Sequence, residues 1–171
     1  MMIETEKKVK DLREKLSSKN SKVITEKITS LRNENPFRGA IGLLVNFFST
    51  SDDQIIKALI RSFLNDIKEP DARTEVIGEL KKNYSAETIS MLVGSCWQSG
   101  LDYADFAIEF AEIYVKGDFL VSLECFTVIE ESLLNISDLN KNKIISLLEK
   151  NIDSFATEKT KLARTLILNL S

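Results

Sequence analysis

The chain has 171 residues, a formal net charge of −3 and a sequence pI of about 5.2. This length suits one domain or one compact repeat array, and the acidic balance argues against a nucleic-acid binder, which usually has a basic patch and a high pI. Because the chain contains no histidine, Ser-His-Asp and Cys-His catalytic mechanisms are excluded.

Helix-start signals return about every 34 residues along the chain, with cap positions at residues 35, 69, 102 and 137. Each interval holds two apolar-periodic stretches and one short break, which is the pattern of an α-solenoid built from helix pairs. We therefore predict an all-α fold, an α-α superhelix of about five antiparallel helix pairs with a right-handed sense and no sheet. The predicted single solenoid domain, 1–171, consists of an N-terminal capping pair (1–34), three central repeats (35–68, 69–100 and 101–136) and a C-terminal capping pair (137–171).

The N-terminal half of the chain predicts five helices. Two amphipathic helices fill the first 34 residues and cap the array. Asn35 is predicted to cap the third helix, with Pro36 at its first position, where a missing N–H costs nothing. Ser51 and Gln54 have the spacing of a capping box that opens the fourth helix, and Pro70 is predicted to start the fifth.

The C-terminal half predicts five more helices. Gly100 is expected to end the sixth helix in a left-handed conformation, and the seventh ends before Gly117. The tenth helix is expected to follow a cap near Asp153 or Thr157 and to run almost to Leu170. The predicted caps of the sixth to ninth helices, all with a short oxygen-bearing side chain, are Ser85, Asp102, Asp118 and Ser137.

The chain offers no residues arranged for catalysis, metal binding or cofactor binding. Cys96 and Cys125 are the two cysteines, and both lie in apolar helical stretches, so we predict reduced, buried thiols. The charged N-terminus lacks the apolar segment of a signal peptide, and no apolar run approaches the roughly 20 residues that span a bilayer. We expect a soluble cytoplasmic protein without a membrane partner.

Charge is unevenly distributed along the chain. Residues 101–136 contain one basic and eight acidic side chains, whereas residues 1–34 contain nine basic and six acidic ones. The second helix of each solenoid pair commonly lines the concave face, and its polar stripe here runs from basic to acidic. We predict that this face binds a protein or peptide, possibly with a basic segment, through Lys57, Arg61, Gln98, Glu124, Thr127 and Glu131.

The segment 96–103 holds the only tryptophan and joins two predicted helix pairs. One interpretation is structural: Gly100 ends a helix, Asp102 caps the next, and Trp97 fills the core. The other is functional, because Trp and Tyr at the rim of an array often provide much of the binding energy. Under that interpretation Trp97, Asp102 and Tyr103 belong to the partner-binding residues.

The period and the helix pairing together resemble HEAT-like repeat proteins, the α-solenoid group that includes armadillo arrays. The segments Asn-Glu-Asn-Pro-Phe-Arg-Gly-Ala at 33–40 and Cys-Trp-Gln-Ser-Gly-Leu-Asp-Tyr at 96–103 also look like a group of uncharacterised bacterial HEAT-like proteins. That resemblance implies the fold and no activity. HEAT-like DNA glycosylases resemble this chain in architecture and are the enzymatic relatives of the group.

These observations predict a non-catalytic protein–protein interaction module or scaffold that binds a protein or peptide on its concave face. The alternative is a HEAT-like DNA glycosylase-type enzyme or a nucleic-acid binder that uses the basic N-terminal repeats. Binding to short DNA with a steep salt dependence would favour the alternative.

Overall fold

The computed structural model describes residues 2–34 and 37–171. The fold is all-helical: 77% of the described residues lie in helices, and none of them forms a strand. Two short 3-10 turns, Ala104–Phe106 and Ile152–Ser154, precede α7 and α10. The α-helices are α1 Met2–Leu16, α2 Ser21–Leu31, α3 Ala40–Thr50, α4 Gln54–Asn65, α5 Ala72–Leu80, α6 Ala86–Ser99, α7 Ala107–Lys116, α8 Phe119–Glu131, α9 Asp138–Asn151 and α10 Thr157–Leu170.

Most of the predicted boundaries of the later helices are confirmed. Asp118 caps α8 by accepting from the backbone N–H of Val121 at 2.9 Å, and Ser137 caps α9 in the same way. Gly100 follows α6 with a φ of 70°, the left-handed conformation that glycine adopts without steric cost. Asp102 accepts from the backbone N–H of Ala104, although a 3-10 turn stands between it and α7.

Several predicted helix starts are wrong in position. The described part of α3 begins at Ala40 behind Gly39, and the predicted cap and first residue, Asn35 and Pro36, lie outside the described residues. The cap of α4 is Asp53, which accepts from two backbone N–H groups, because it stands directly before the first turn and Ser51 stands two residues too early. By contrast, α10 begins at Thr157, close to its predicted start, with Ala156 at the N-cap position and no side-chain bond there.

The chain divides into two compact units, Met1–Thr88 and Ile89–Ser171, with the boundary inside α6. In the first unit, helices pack on their second neighbours in sequence: α1 on α3, α2 on α4, and α3 on α5. Consecutive helices α1 and α2, and α3 and α4, also pack together. The fully buried side chains of this unit include Leu12, Leu44, Phe48 and Ile60.

The second unit repeats this arrangement. Here α7 packs on α9 and α8 on α10, while α7 also packs on α8 and α9 on α10. Tyr114 of α7 is fully buried, and its hydroxyl donates to the backbone carbonyl of Lys159 at 2.7 Å. The ring of Phe155 meets the ring of Tyr114 edge-on at 5.8 Å between centroids. These contacts fix α10 against the end of α7.

Candidate partner-binding face

Helix α8 has apolar side chains on both its buried and its exposed sides. Val121, Cys125 and Val128 face the core. Leu120 and Leu123 are exposed on the opposite side, where they share a stripe with the predicted site residues because side chains three and four positions apart lie on one face. This stripe, which we call the α8 face, consists of the exposed residues Phe119, Leu120, Leu123 and Glu131 and the half-buried residues Glu124 and Thr127.

The α8 face is apolar in its first half and acidic in its second half. Leu120 is 63% exposed, and Phe119 and Leu123 beside it in the sequence are 44% and 38% exposed. Glu131 is exposed in the last turn, and that turn contains no basic residue. The first half of α8 therefore exposes apolar side chains that no contact within the described residues buries.

Trp97 of α6 lies beside the α8 face and is at the surface, with 37% of its area exposed. Its indole Nε1–H donates to Oε2 of Glu124 at 2.7 Å. Gly94 makes room for this contact, because a Cβ added there would lie 3.1 Å from the same carboxylate oxygen. The structure therefore brings the predicted residues Trp97 and Glu124 together, at a position where both remain accessible to a partner.

A cleft of about 220 Å³ opens at the end of α6 next to Trp97. Asp102 and Glu131 contribute carboxylates to it, and Asn135 donates to Oδ2 of Asp102 at 2.7 Å. Pockets for small-molecule ligands usually measure roughly 300–1,000 Å³, so this cleft suits a single side chain better than a cofactor. The residues that line it are Cys96, Trp97, Gly100, Leu101, Asp102, Tyr103, Val128, Glu131, Ser132 and Asn135.

The other side of the α8 face is bordered by α10. Asn169 donates through its Nδ2 to Oε1 of Glu130 at 2.8 Å. The α8 face is thus flanked by α6, through Glu124, and by α10, through Glu130. Thr127 is half-buried within it, and its hydroxyl donates to the backbone carbonyl of Leu123 at 3.1 Å.

Two predicted site residues are less accessible than the sequence suggested. Tyr103 is only 2% exposed, and its ring packs edge-on against Phe110 at 5.7 Å between centroids, so it is not available as an aromatic anchor. Lys57 is buried, with its Nζ 2.9 Å from both carboxylate oxygens of Glu87 and 4.7 Å from the centre of the Phe48 ring. Its long stem covers apolar surface while the charge is paired.

The remaining predicted residues are exposed. Arg61 lies on α4 in the first unit, and Gln98 lies on α6 in the second unit. The second unit therefore holds Trp97, Gln98, Asp102, Glu124, Thr127 and Glu131, whereas Lys57 and Arg61 belong to the first unit. A continuous basic-to-acidic stripe through all of them stays a prediction.

The two thiols have the properties of core residues. Cys96 and Cys125 are free and buried. Burial raises the pKa of Cys96 to about 12 and also raises the pKa of Cys125, so neither is a thiolate near neutral pH. Among the described residues no group of three potential ligand side chains is placed to hold a metal ion.

The first unit contains a larger open cleft of about 1120 Å³ between α2, α3, α4 and α5. Several of its charged side chains are paired within the fold. Arg32 pairs with Asp66, and Glu75 accepts from the backbone N–H groups of Gly39 and Gly42 at 3.1 Å.

No described helix is both long enough and apolar enough to cross a membrane.

A scan against models of protein families and searches of curated proteins and solved structures find no significant match to this chain.

Proposed function

We propose that this protein is a non-catalytic interaction module or scaffold that binds a protein or peptide on the α8 face and the adjoining end of α6. The observation that carries the proposal is the exposed Trp97, hydrogen-bonded to Glu124 beside three exposed apolar side chains of α8. Tryptophan is among the residue types that are enriched at the hot spots of protein interfaces.

We further propose that the fold is a HEAT-like α-solenoid with a cytoplasmic setting. Support comes from the packing of first helices on first helices and of second helices on second helices within each unit, which is how stacked helix pairs bury a continuous core. The two free, buried thiols suit a reducing compartment.

The acidic residues of the second unit favour a partner with a basic part. Trp97 offers a partly exposed ring, Glu124 is hydrogen-bonded to it, and Asp102 and Glu131 line the same cleft. A lysine or arginine side chain can interact with both kinds of group, through charge pairing and through the cation–π interaction. The carboxylates would act mainly on the association rate and on partner choice.

Replacing Trp97 tests the proposed function. Trp97→Ala is expected to weaken binding of a partner captured from the source cell by about 2 kcal/mol or more. Its effect on unfolding is expected to be well below the about 3–5 kcal/mol typical of a fully buried tryptophan, because much of the ring is exposed. Quantitative mass spectrometry of captured proteins and a thermal melt measure the two effects.

Trp97→Phe serves as the matched control because it keeps an aromatic ring and loses the N–H bond to Glu124. A captured partner retained equally by wild type and Trp97→Ala would contradict the proposed site. Salt-sensitive binding to short DNA, retained in Trp97→Ala, would instead support the nucleic-acid or glycosylase alternative.

A further inference from the structure

We propose that the partner presents an amphipathic helix to the α8 face, with its apolar side chains on Phe119, Leu120 and Leu123 and its basic side chains beside Glu124 and Glu131. This inference rests on the proposed function and specifies the kind of partner. It follows from how apolar surface, charge and neighbouring helices are arranged around α8.

The first half of α8 supplies the apolar contact. Phe119, Leu120 and Leu123 are all exposed, and their spacing of one and three residues places them together on adjoining turns. An amphipathic helix docks on an apolar surface through its own side chains at i, i+3 and i+4. A partner helix with a stripe of leucine-like residues matches this half of the α8 face.

The second half of α8 supplies the charge. Glu130 and Glu131 lie in the last turn, where the carbonyl end of the helix dipole disfavours negative side chains. No lysine or arginine occurs between Lys116 and Lys141 to compensate. Acidic residues at this end of a helix oppose a local rule of helix stability, and such violations are expected at functional sites. Basic side chains of a partner would remove the unfavourable interaction.

The surroundings of α8 favour an elongated partner over a flat surface. The bond from Trp97 to Glu124 holds α6 on one side of the α8 face, and the bond from Asn169 to Glu130 holds α10 on the other. A single helix laid along α8 contacts the apolar half and the acidic half together. Charge complementarity then fixes which end of the partner helix carries the basic residues.

Synthetic peptides of alanine, leucine and lysine test the inference with the full chain. Each has about 18 residues so that a helix can form. Two peptides have a leucine stripe in one half and lysines in the other half, in opposite orders, and a third has the same composition with both residue types spread around the helix. Emission from Trp97, the only tryptophan, reports binding at the edge of the α8 face.

We expect at least one block peptide to bind about tenfold more tightly than the dispersed peptide, with affinity that falls as salt rises. Leu120→Asp should weaken this binding about tenfold, whereas Leu139→Asp should change it by less than about twofold. Leu139 is the matched control because it lies on α9 with 65% of its area exposed, close to the 63% of Leu120.

Glu131→Lys should weaken block-peptide binding and flatten its salt dependence, whereas Glu112→Lys should do neither. Glu112 is exposed on α7 within the same acidic region, so both variants change the net charge equally. Circular dichroism and a thermal melt confirm that each variant is folded.

Equal affinity for block and dispersed peptides would overturn the inference. So would an equal loss of block-peptide binding in a test variant and its control. Failure of the peptides together with loss of a captured partner by Trp97→Ala would leave the proposed function standing and reject only the helical class of partner. Retention of that partner by Trp97→Ala would count against the proposed function itself.

Discussion

Lys159 is a buried cation that is held by carbonyl groups and aromatic rings. Its Nζ donates to the backbone carbonyls of Val115 and Gly117 at 3.0 and 2.7 Å and lies 4.6 Å from the centre of the Phe155 ring. Burial lowers the pKa of Lys159. A positive charge at the C-terminal end of a helix is favourable. Lys159, which belongs to α10, therefore stabilises the C-terminal end of α7.

We predict that Lys159→Met destabilises the protein by about 1–3 kcal/mol, because buried carbonyls of α7 lose their donor. Methionine keeps most of the apolar stem, which limits the loss of packing. Lys161→Met is the control, since Lys161 is exposed on the same helix and pairs with the equally exposed Glu158. Urea denaturation measures the free energy of unfolding of the two variants. An equal loss in Lys159→Met and Lys161→Met would show that the carbonyl contacts of Lys159 do not stabilise the protein.

At the scale of a single helix, α3 is completed by a residue from another helix. Gly39 at its N-cap has a φ of 97° and no side chain, so it cannot cap the helix itself. The carboxylate of Glu75 on α5 accepts from the N–H of Gly39 and of Gly42. A carboxylate at the start of a helix both binds free N–H groups and favours the helix dipole.

We expect Glu75→Gln to destabilise the protein by about 0.5–1 kcal/mol, because the negative charge that favours the N-terminal end of α3 is lost. The amide keeps the shape of the side chain and loses the charge and one accepting oxygen. Asp71→Asn provides the control, because Asp71 precedes α5 and caps no helix with its side chain. A chemical melt in which the two variants lose the same stability would argue against the capping role.

Helix caps formed by adjacent residues were predicted in part, whereas contacts between distant residues were not predicted. The local cap Asp53 of α4 was missed because Ser51 and Gln54 have the spacing of a capping box. Asp118 and Ser137 could be identified because their side chains bond a backbone N–H three residues on.

Glu75 caps the N-terminal end of α3, which begins more than thirty residues earlier in the chain. No local sequence pattern predicts such a contact. Lys57 has the helical position of an exposed residue, yet its pairing with Glu87 buries it.

The candidate site was predicted only for its polar half. The acidic composition of 101–136 and the position of Glu124 and Glu131 on one stripe of α8 were visible in the sequence. Leu120 and Leu123 were not recognised, because an apolar residue in an apolar helix gives no sign of which side the core occupies. Exposure of these two leucines emerges only when α7 and α10 cover the opposite side.

At the scale of the whole molecule, the second unit contains a complete set of helix contacts. In this unit α7 packs on α9 and α8 packs on α10. The bonds of Lys159 with Tyr114 and with the end of α7 hold α10 against α7. We predict that a fragment of residues 86–171, which keeps α6 whole, folds by itself as a helical unit. Circular dichroism should show a cooperative thermal transition, and a gradual loss of helix without a transition would contradict this.

The absence of lysine and arginine between Lys116 and Lys141 has a practical consequence for mapping any complex. Amine-reactive cross-linkers cannot attach to the α8 face, so they would join a partner only to neighbouring segments. Carbodiimide activation of Glu124 or Glu131 would instead couple the face directly to lysines of the partner. Trypsin does not cleave within this stretch, so the whole face would be recovered on one peptide of residues 117–141.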